Sequence, residues 1–581
     1  MSDNVKIASS ISTPFKSDFS IRCPEKIASS FFNKNRLSNT KKFKGSSISN
    51  INDDNKYKHV TSYFSYRGYS RLHEFFNSFD FIMLERKYTS FWSLDISKCF
   101  DSLYTHSVTW ALKTKKHSKE TTSSKSTFGN IFDRLMQSLN YNETNGIIIG
   151  PEVSRIFSEI IFQQIDCNIE EDAKNSKNKY LKGIHYEIKR YVDDIYIFAL
   201  SDEICENLYH IIENKLREYK LFLNTNKTTK TKHPFITPLS KSILATKKII
   251  NTFIESLTER QTEDESQKTF LLPKKIWKKE NLISNFLNDL KGTSIYDSEI
   301  NDVVNLYSLS AINNFIFNIV ENAPHQDILD KNASAFRELF HVLIDISYHL
   351  YTVSPSVSSS IKLSTINLLT VNFFSAFIKD ESNSIRLKIY EHTKYFLESG
   401  WFNKLYHLED HNFLLEAMNI LLSTRIMGSD FMLDHETIKK VFKFKDNKKK
   451  IEFDSMVKGE ESSNYFQITS LLYYIGNEEK YNQIKSKLLS HIDTKLKDLS
   501  DIRINSEMCY LFLDIVACPY VCDNDKKKWV RNLLSMWKGK KPTEESVSEW
   551  TTKLSSFPWF ISWDHLELFN ILERKELLKG Y

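Results

Sequence analysis

Four residues, Tyr191-Val192-Asp193-Asp194, stand between two strand-like runs, Tyr186-Glu187-Ile188-Lys189-Arg190 before them and Ile195-Tyr196-Ile197-Phe198-Ala199 after them. Adjacent acids flanked by β-branched and aromatic residues predict a hairpin with its tight turn at the acids. Alternation sends Ile188 and Val192 of one strand, and Ile195 and Ile197 of the other, toward a common core. Successive side chains diverge along a strand, so two acids aimed at one place must sit at the turn. Close carboxylates repel, and the usual remedy is a divalent cation held by hard oxygen ligands. The hairpin therefore asks for a metal and for a third acid from elsewhere; on these four residues alone, a solvated Asp-Asp turn is the commoner outcome.

The 581 residues leave room for two to four domains, and 41% hydrophobic with 26% charged residues describes a globular chain. Only 13 glycines and 11 prolines interrupt it, which favours helix. A net charge of +6 permits a nucleic-acid partner without requiring one. The seven cysteines are scattered and odd in number, which suits a reduced, cytoplasmic compartment. Cys509, Cys518 and Cys522 lack a histidine at zinc-type spacing, so they are read as buried thiols. There is no signal-peptide pattern and no apolar window of membrane-span length, so no membrane is expected.

Residues 1–55 are rich in Ser, Asn and Lys and read as an N-terminal extension with little core of its own. From Lys56 to Lys87 aromatic and basic residues interleave, Arg67 and Arg71 among them, which fits a nucleic-acid path or, equally, a pair of amphipathic helices with snorkelling cations. Next, Phe91-Trp92-Ser93-Leu94-Asp95 is an apolar strand ending in an acid, the third carboxylate the hairpin asks for. Phe100 follows five residues later, at the start of a helix, where its ring can lie against whatever the metals bind. Lys113 to Ser126 reads as a mobile loop. Gly146-Ile147-Ile148-Ile149-Gly150-Pro151 breaks the chain and launches a helix, with Pro151 in its first turn. Gly150 allows close backbone approach to a base pair or nucleotide, and Arg155, one turn in, fits a phosphate or template contact or a plain surface position. Beyond the hairpin come an amphipathic helix from Ile204 to Tyr219 and a short strand from Leu221 into a polar turn bearing Lys227. This order predicts an α+β sheet with helices on one face, the layout of a polymerase palm.

Over residues 56 to about 240 the chain resembles reverse transcriptases. Asp95 with Phe100, Gly146 to Arg155, the Tyr191–Asp194 hairpin and Leu223 to Thr228 look like that family's motifs A, B, C and D in order. The resemblance implies a fingers and palm domain in which Asp95, Asp193 and Asp194 hold two Mg²⁺ ions, or Mn²⁺, for transfer of dNTPs. It further implies that Phe100 excludes a 2′-hydroxyl, that Lys227 meets the pyrophosphate, and that Gly150, Arg155 and Tyr191 line the nucleotide site. Most reverse transcriptases carry Gln where this chain has Ile149, which puts ordinary templated copying in doubt. Leu94-Asp95-Ile96-Ser97, Leu103-Tyr104-Thr105-His106-Ser107 with Trp110, Asn142-Glu143-Thr144-Asn145-Gly146 and Ser154-Arg155 resemble the bacterial abortive-infection, AbiK-like group. That likeness implies anti-phage defence, template-independent or unusually templated synthesis of single-stranded DNA primed from and attached to a protein hydroxyl, and a homo-oligomer, trimer or hexamer.

After about Thr252 strand signals fade. The domains are accordingly read as 1–55, 56–255 for fingers and palm, and 256–581 for an all-α, HEAT-like helical repeat without strands. Basic runs such as Lys274-Lys275-Ile276-Trp277-Lys278-Lys279 fit a single-stranded DNA path or solvated helix ends. Trp550, Phe557, Trp559, Phe560, Trp563 and Phe569 fit a packed cap or an oligomer contact. The competing functions are an RNA-templated reverse transcriptase using a dedicated noncoding RNA, and a scaffold whose palm is no longer catalytic.

Overall fold

The computed structural model describes residues 17–27, 64–69, 72–113, 115–120, 127–235, 238–262, 269–293, 298–400, 402, 415–442, 444–446, 451–453, 465–538, 541–557, 559–561 and 563. The chain divides into two compact units, one ending at Lys241 and the other beginning at Ser242.

The first unit is built on a four-stranded sheet. Its strands are β3 (Ser90–Leu94), β4 (Tyr186–Tyr191), β5 (Asp194–Ala199) and β6 (Thr229–Lys232), in the order β4-β5-β3-β6, and every neighbour is antiparallel. A separate two-stranded antiparallel sheet pairs β1 (Arg22–Ile27) with β2 (Phe64–Gly68). Helices α1 (Leu72–Phe76) and α2 (Phe79–Lys87) precede β3. Between β3 and β4 come α3 (Cys99–Ser102), α4 (Ser107–Leu112), α5 (Phe128–Leu139) and α6 (Glu152–Asn175), and α7 (Asp202–Glu218) follows β5.

Period-two alternation sorts the sheet's side chains between two faces. Trp92, Leu94, Ile188 and Ile197 join the buried residues of α6 and α7, including Ile160, Ile161, Leu208 and Ile212, in one core. Phe91, Tyr196 and Phe198 join Phe75, Phe81 and Phe235 in a second core on the opposite face. There Phe91 stacks on Phe198 at 4.9 Å between ring centres, and Phe81 meets Phe91 edge-on at 6.1 Å. Helices on one face were expected; the aromatic cluster carried by α1 and α2 covers the other face too.

The N-terminal residues also depart from expectation. Phe19 and Cys23 are buried in the palm core, and residues 19–21 run beside β4, with the Arg190 amide donating to the Phe19 carbonyl and the Ile21 amide to the Arg190 carbonyl. Low complexity in the neighbouring sequence hid a short run that shields this edge strand. Lys115–Glu120, inside the stretch read as a loop, is helical. Pro151 sits at the N-cap of α6, one residue before its first turn.

The second unit is a helical region. Helices α8 (Pro238–Leu257), α9 (Lys279–Lys291), α10 (Ser298–Glu321), α11 (Ala333–Val353), α12 (Val357–Phe377), α13 (Ser382–Glu398) and α14 (Leu415–Thr424) lead into α15 (Tyr465–Ile475) and α16 (Ser506–Ala517), with further helices up to Ser555. Neighbours pack in overlapping pairs, α10 on α11 and α12, α11 on α13, α12 on α14, around one continuous core. Two short hairpins, Thr258–Thr262 with Thr269–Pro273 and Phe444–Asp446 with Ile451–Phe453, correct the expectation of a strand-free half. Their strands run only three to five residues, too short for alternation to stand out.

Helix α10 is long and apolar enough by composition to cross a membrane, contrary to the sequence reading. Here Leu309, Ile312, Phe315, Ile316 and Ile319 are buried in the helical core, and its buried polar residues include Asn305, Ser308 and Asn313. Of the three cysteines read as buried thiols, Cys518 is buried, Cys509 half-buried and Cys522 exposed. In the aromatic tail Trp563 is buried and donates to the Asp514 carbonyl, whereas Phe557, Trp559 and Phe560 are exposed; Phe569 lies outside the described residues.

Asp345 on α11 ties three elements together, accepting from His392 Nε2 at 2.6 Å and lying 2.6 Å from Lys388 Nζ and 3.0 Å from Lys279 Nζ. Burial alone would raise its pKa, but hydrogen bonds from His392, Lys388 and Lys279 outweigh it and hold the carboxyl well below its ordinary range. A depressed folded pKa means stability that is present above the unfolded value of about 4 and lost as pH falls toward the folded one. Asp345→Asn is therefore expected to lower the melting temperature at neutral pH and to narrow the gap between melts at neutral pH and at about pH 3. Calorimetry on the full chain checks this, and an unchanged gap would remove Asp345 from the account of acid stability.

Candidate active site at the hairpin turn

The predicted hairpin is present, with Tyr191 paired to Asp194 across a two-residue turn of Val192 and Asp193. Val192 has φ +59°, while Asp193 is not in the left-handed region. Positive φ at the first central residue alone is the pattern of a type II′ turn, which normally places glycine there. A β-branched residue in that conformation is strained and persists only where its surroundings hold it.

What holds it is Arg190. Its side chain is fully buried, and all five guanidinium N–H groups are engaged. Nε donates to Asp166 at 3.0 Å; Nη2 donates to Asp166 at 2.8 Å and to Glu159 at 3.1 Å; Nη1 donates to Glu159 at 2.9 Å and to the Val192 carbonyl at 3.0 Å. Glu159 and Asp166 lie seven residues apart, two turns along the same face of α6. The strained turn is thereby bonded to the helix launched by Gly150-Pro151. Neither Arg190 nor its partners were singled out from sequence. The available signal was that Tyr186, Ile188 and Arg190 alternate onto one buried face, and an arginine there requires buried acids.

Asp95 follows β3 directly. The β3–β5 register pairs Leu94 with Ile195, so one step further places Asp95 opposite Asp194. The Asp95 carbonyl accepts from the Asn224 amide at 2.8 Å, and its carboxylate accepts from Asn224 Nδ2 at 3.2 Å and lies 3.7 Å from Lys227 Nζ. Ile96 bridges to Leu223, and Thr225–Lys227 is a single 3₁₀ turn before β6. The segment read as a strand into a turn is thus strapped to the end of β3, with its strand starting later, at Thr229.

Burial, the negative charge of Asp193 and that of Asp95 push the Asp194 carboxyl up to about 6, against a hydrogen bond from Tyr196. Asp193 is raised as well, first by burial and then by Asp95, with Lys227 and Arg155 pulling the other way. Arg155 is thus within electrostatic reach of Asp193. These are hard oxygen donors in mutual repulsion, the donor set a divalent cation relieves. Among the described residues no three His, Cys, Asp or Glu side chains close into a ready-made metal cage. The residues fit the ion in chemistry, and Asp95, Asp193 and Asp194 are those that would hold it.

Phe100 lies in α3, half-buried against the palm core, and its carbonyl accepts from the Ile147 amide at 2.9 Å. The Gly146 amide donates to the Leu103 carbonyl at 2.9 Å, which ties the glycine turn to the same segment. A Cβ on Gly146 would meet the Asp101 carbonyl oxygen at 3.0 Å. Gly150 has φ +118° with open space around it, and Ile149 is exposed. The Tyr191 hydroxyl accepts from Arg22 Nη1 at 3.4 Å, and the Arg22 guanidinium lies 4.5 Å from the centre of the Tyr66 ring, whose hydroxyl donates to Glu152 at 2.7 Å. A further link missed from sequence thus joins the β1–β2 sheet, the turn and the start of α6. Arg67 is exposed on β2, and Arg71 lies outside the described residues. Lys274 and Lys275 are exposed in the second unit, with Lys275 Nζ 4.0 Å from the ring centre of exposed Trp277.

With this geometry in hand, residues 34–271 match the family model described as reverse transcriptase (RNA-dependent DNA polymerase), which supports that family for the palm-bearing part of the chain. No curated protein matches. Among solved structures, telomerase from Candida albicans in complex with a TWJ fragment of telomeric RNA matches at 13% identity and TM-score 0.21, over 61% of this chain and 55% of that one. Apo telomerase from Candida tropicalis matches at 11% identity and TM-score 0.20, over 55% of this chain and 54% of that one. The chain thus spans about half the length of these proteins.

Arg190→Met leaves Glu159 and Asp166 buried without their cation and is expected to cost about 3–5 kcal/mol. Combining it with Glu159→Gln and Asp166→Asn should recover part of that loss. Denaturant unfolding with hydrogen exchange across residues 186–199 measures both, and wild-type stability of the single variant would contradict this role.

Proposed function

We propose that the protein is a DNA polymerase of the reverse-transcriptase type that adds dNTPs by two-metal nucleotidyl transfer. The observation that carries the reading is the strand register, which sets Asp95 across from Asp194 at the strained turn, with Phe100 in the short helix that follows Asp95. Two Mg²⁺ ions held by Asp95, Asp193 and Asp194 would lower the pKa of the attacking hydroxyl and neutralise charge on the leaving pyrophosphate. Lys227, exposed and tethered beside Asp95, supplies a cation or a proton to that pyrophosphate. Phe100 presents a ring where a 2′-hydroxyl would collide, so deoxynucleotides are favoured. Gly150, Arg155 and Tyr191 complete the nucleotide site.

The finer assignment is to the abortive-infection, AbiK-like group of bacterial anti-phage enzymes. It is supported by the residues around Asp95, Tyr104 and Gly146, and by Ile149, which is exposed where most reverse transcriptases hold a template-supporting Gln. On this reading synthesis needs no conventional template and starts from a protein hydroxyl in a cytoplasmic homo-oligomer. On the same reading the overlapping helix pairs of the second unit would form a HEAT-like repeat, and exposed Lys274, Lys275 and Trp277 combine cations with a stacking surface suited to single-stranded DNA.

Incubating the full chain with single labelled dNTPs and Mg²⁺, without nucleic acid, tests this directly. The expected product is DNA whose mobility on a denaturing gel changes after protease. Product only on addition of RNA would replace this reading with an RNA-templated one. Asp193→Asn with Asp194→Asn should reduce incorporation by on the order of 10³-fold, and Phe100→Ala should raise ribonucleotide use relative to deoxynucleotide. Phage protection that survives the double variant would favour the scaffold.

A further inference from the structure

Outside the hairpin site, the first unit contains a cavity of about 330 Å³ between α4 and α5. That volume is at the low end of the roughly 300–1,000 Å³ typical of small-molecule sites. It has room for one nucleotide and none for a duplex. Its floor is a dyad: His106 Nδ1 lies 2.5 Å from an oxygen of Asp133, whose other oxygen accepts from Gln137 Nε2 at 2.7 Å. The Asp133 side chain is buried and the His106 side chain is 39% exposed. With Nδ1 engaged, Nε2 is the ring atom left to meet a ligand, and it has no hydrogen-bond partner among the described residues.

The walls are aromatic and basic. Tyr104 and Trp110 lie 5.6 Å apart between ring centres, and His106 meets Tyr104 edge-on at 4.8 Å. Lys220 Nζ lies 4.3 Å from the centre of the Tyr104 ring and Lys115 Nζ 4.6 Å from that of Trp110, so each ring already carries a cation. Lys119 and Arg134 line the same cavity, and its acid, Asp133, is spent on His106 and Gln137. Flat rings for a base, cations for a phosphate and a fixed imidazole nitrogen between them select an anionic aromatic ligand.

We infer that the cavity bounded by Tyr104, His106, Trp110 and Arg134 is a second nucleotide-binding site, separate from the carboxylates of the hairpin. Its ligand is a nucleoside monophosphate unit, either free or within a single strand. The backbone couples it to the first site: the Thr105 amide donates to the Thr144 carbonyl at 2.9 Å and Tyr104 bridges to Asn145, in the same ladder that fastens Gly146 to Leu103 and Ile147 to Phe100. A nucleotide against Tyr104 therefore bears on the segment that carries Phe100 and Gly146.

The test is photo-crosslinking of the full chain, in EDTA, to bromodeoxyuridine monophosphate and to a short bromodeoxyuridine oligonucleotide, with adducts mapped by mass spectrometry. Adducts are expected on Tyr104 or Trp110. They should need about tenfold more probe after Lys119→Ala with Arg134→Ala or after His106→Gln, and be unaffected by Asp193→Asn. Labelling by the monophosphate identifies a free nucleotide as the ligand; labelling by the oligonucleotide alone identifies a strand. Absence of adducts at both rings, or adducts whose yield is the same in the exposed Lys119 and Arg134 variant, overturns the proposal. The Asp193→Asn arm keeps this outcome separate from any failure at the hairpin.

Discussion

A guanidinium with every N–H engaged cannot shift without breaking several charge-assisted bonds together, and Arg190 spends one of those bonds on the carbonyl of Val192. The others fix Glu159 and Asp166 on α6. The turn that presents Asp193 and Asp194 is thus built into the helix that begins at the glycine turn. This bracing lets a β-branched residue occupy a position that usually falls to glycine. Loss of one partner would leave uncompensated charge in a dry core, so the arrangement is all or nothing.

Around this brace, each approach to the turn is tied by backbone. The strand end at Asp95 is bonded to Asn224, the segment after Phe100 to Gly146 and Ile147, and residues 19–21 to Arg190 itself. The acids are held near one another and partly out of water, and burial first, then their mutual repulsion, raises the carboxyls of Asp193 and Asp194. A divalent cation would relieve that repulsion, and under the proposed function the fixed ladders would leave little reorganisation for its binding.

Much of this was legible in the sequence because it follows from short periods. The hairpin, the strand ending at Asp95 and the amphipathic helix after the hairpin each announce themselves within a dozen residues, and the register then brings Asp95 to Asp194 as the acids required. What stayed hidden depends on distant partners. Phe19 and Cys23 lie in a polar stretch, and only the fold shows that they complete the palm core. Arg190 reads as one more cation before a tyrosine until its neighbours on the strand prove to face inward. His106 and Asp133 stand 27 residues apart, on elements whose meeting no local pattern encodes. In the second unit, strands of three to five residues are too short to interrupt a helical pattern, and α10 shows that an apolar run of membrane-span length can be packed into a helical core.

Under the proposed function, Asp95, Asp193 and Asp194 act together as the seat of divalent cations for nucleotide transfer. Electron paramagnetic resonance of the full chain titrated with Mn²⁺ in the presence of a dNTP tests it most directly. Tight uptake of two Mn²⁺ per chain is expected, abolished by Asp95→Asn with Asp193→Asn. Uptake in that variant equal to the native protein's would contradict it.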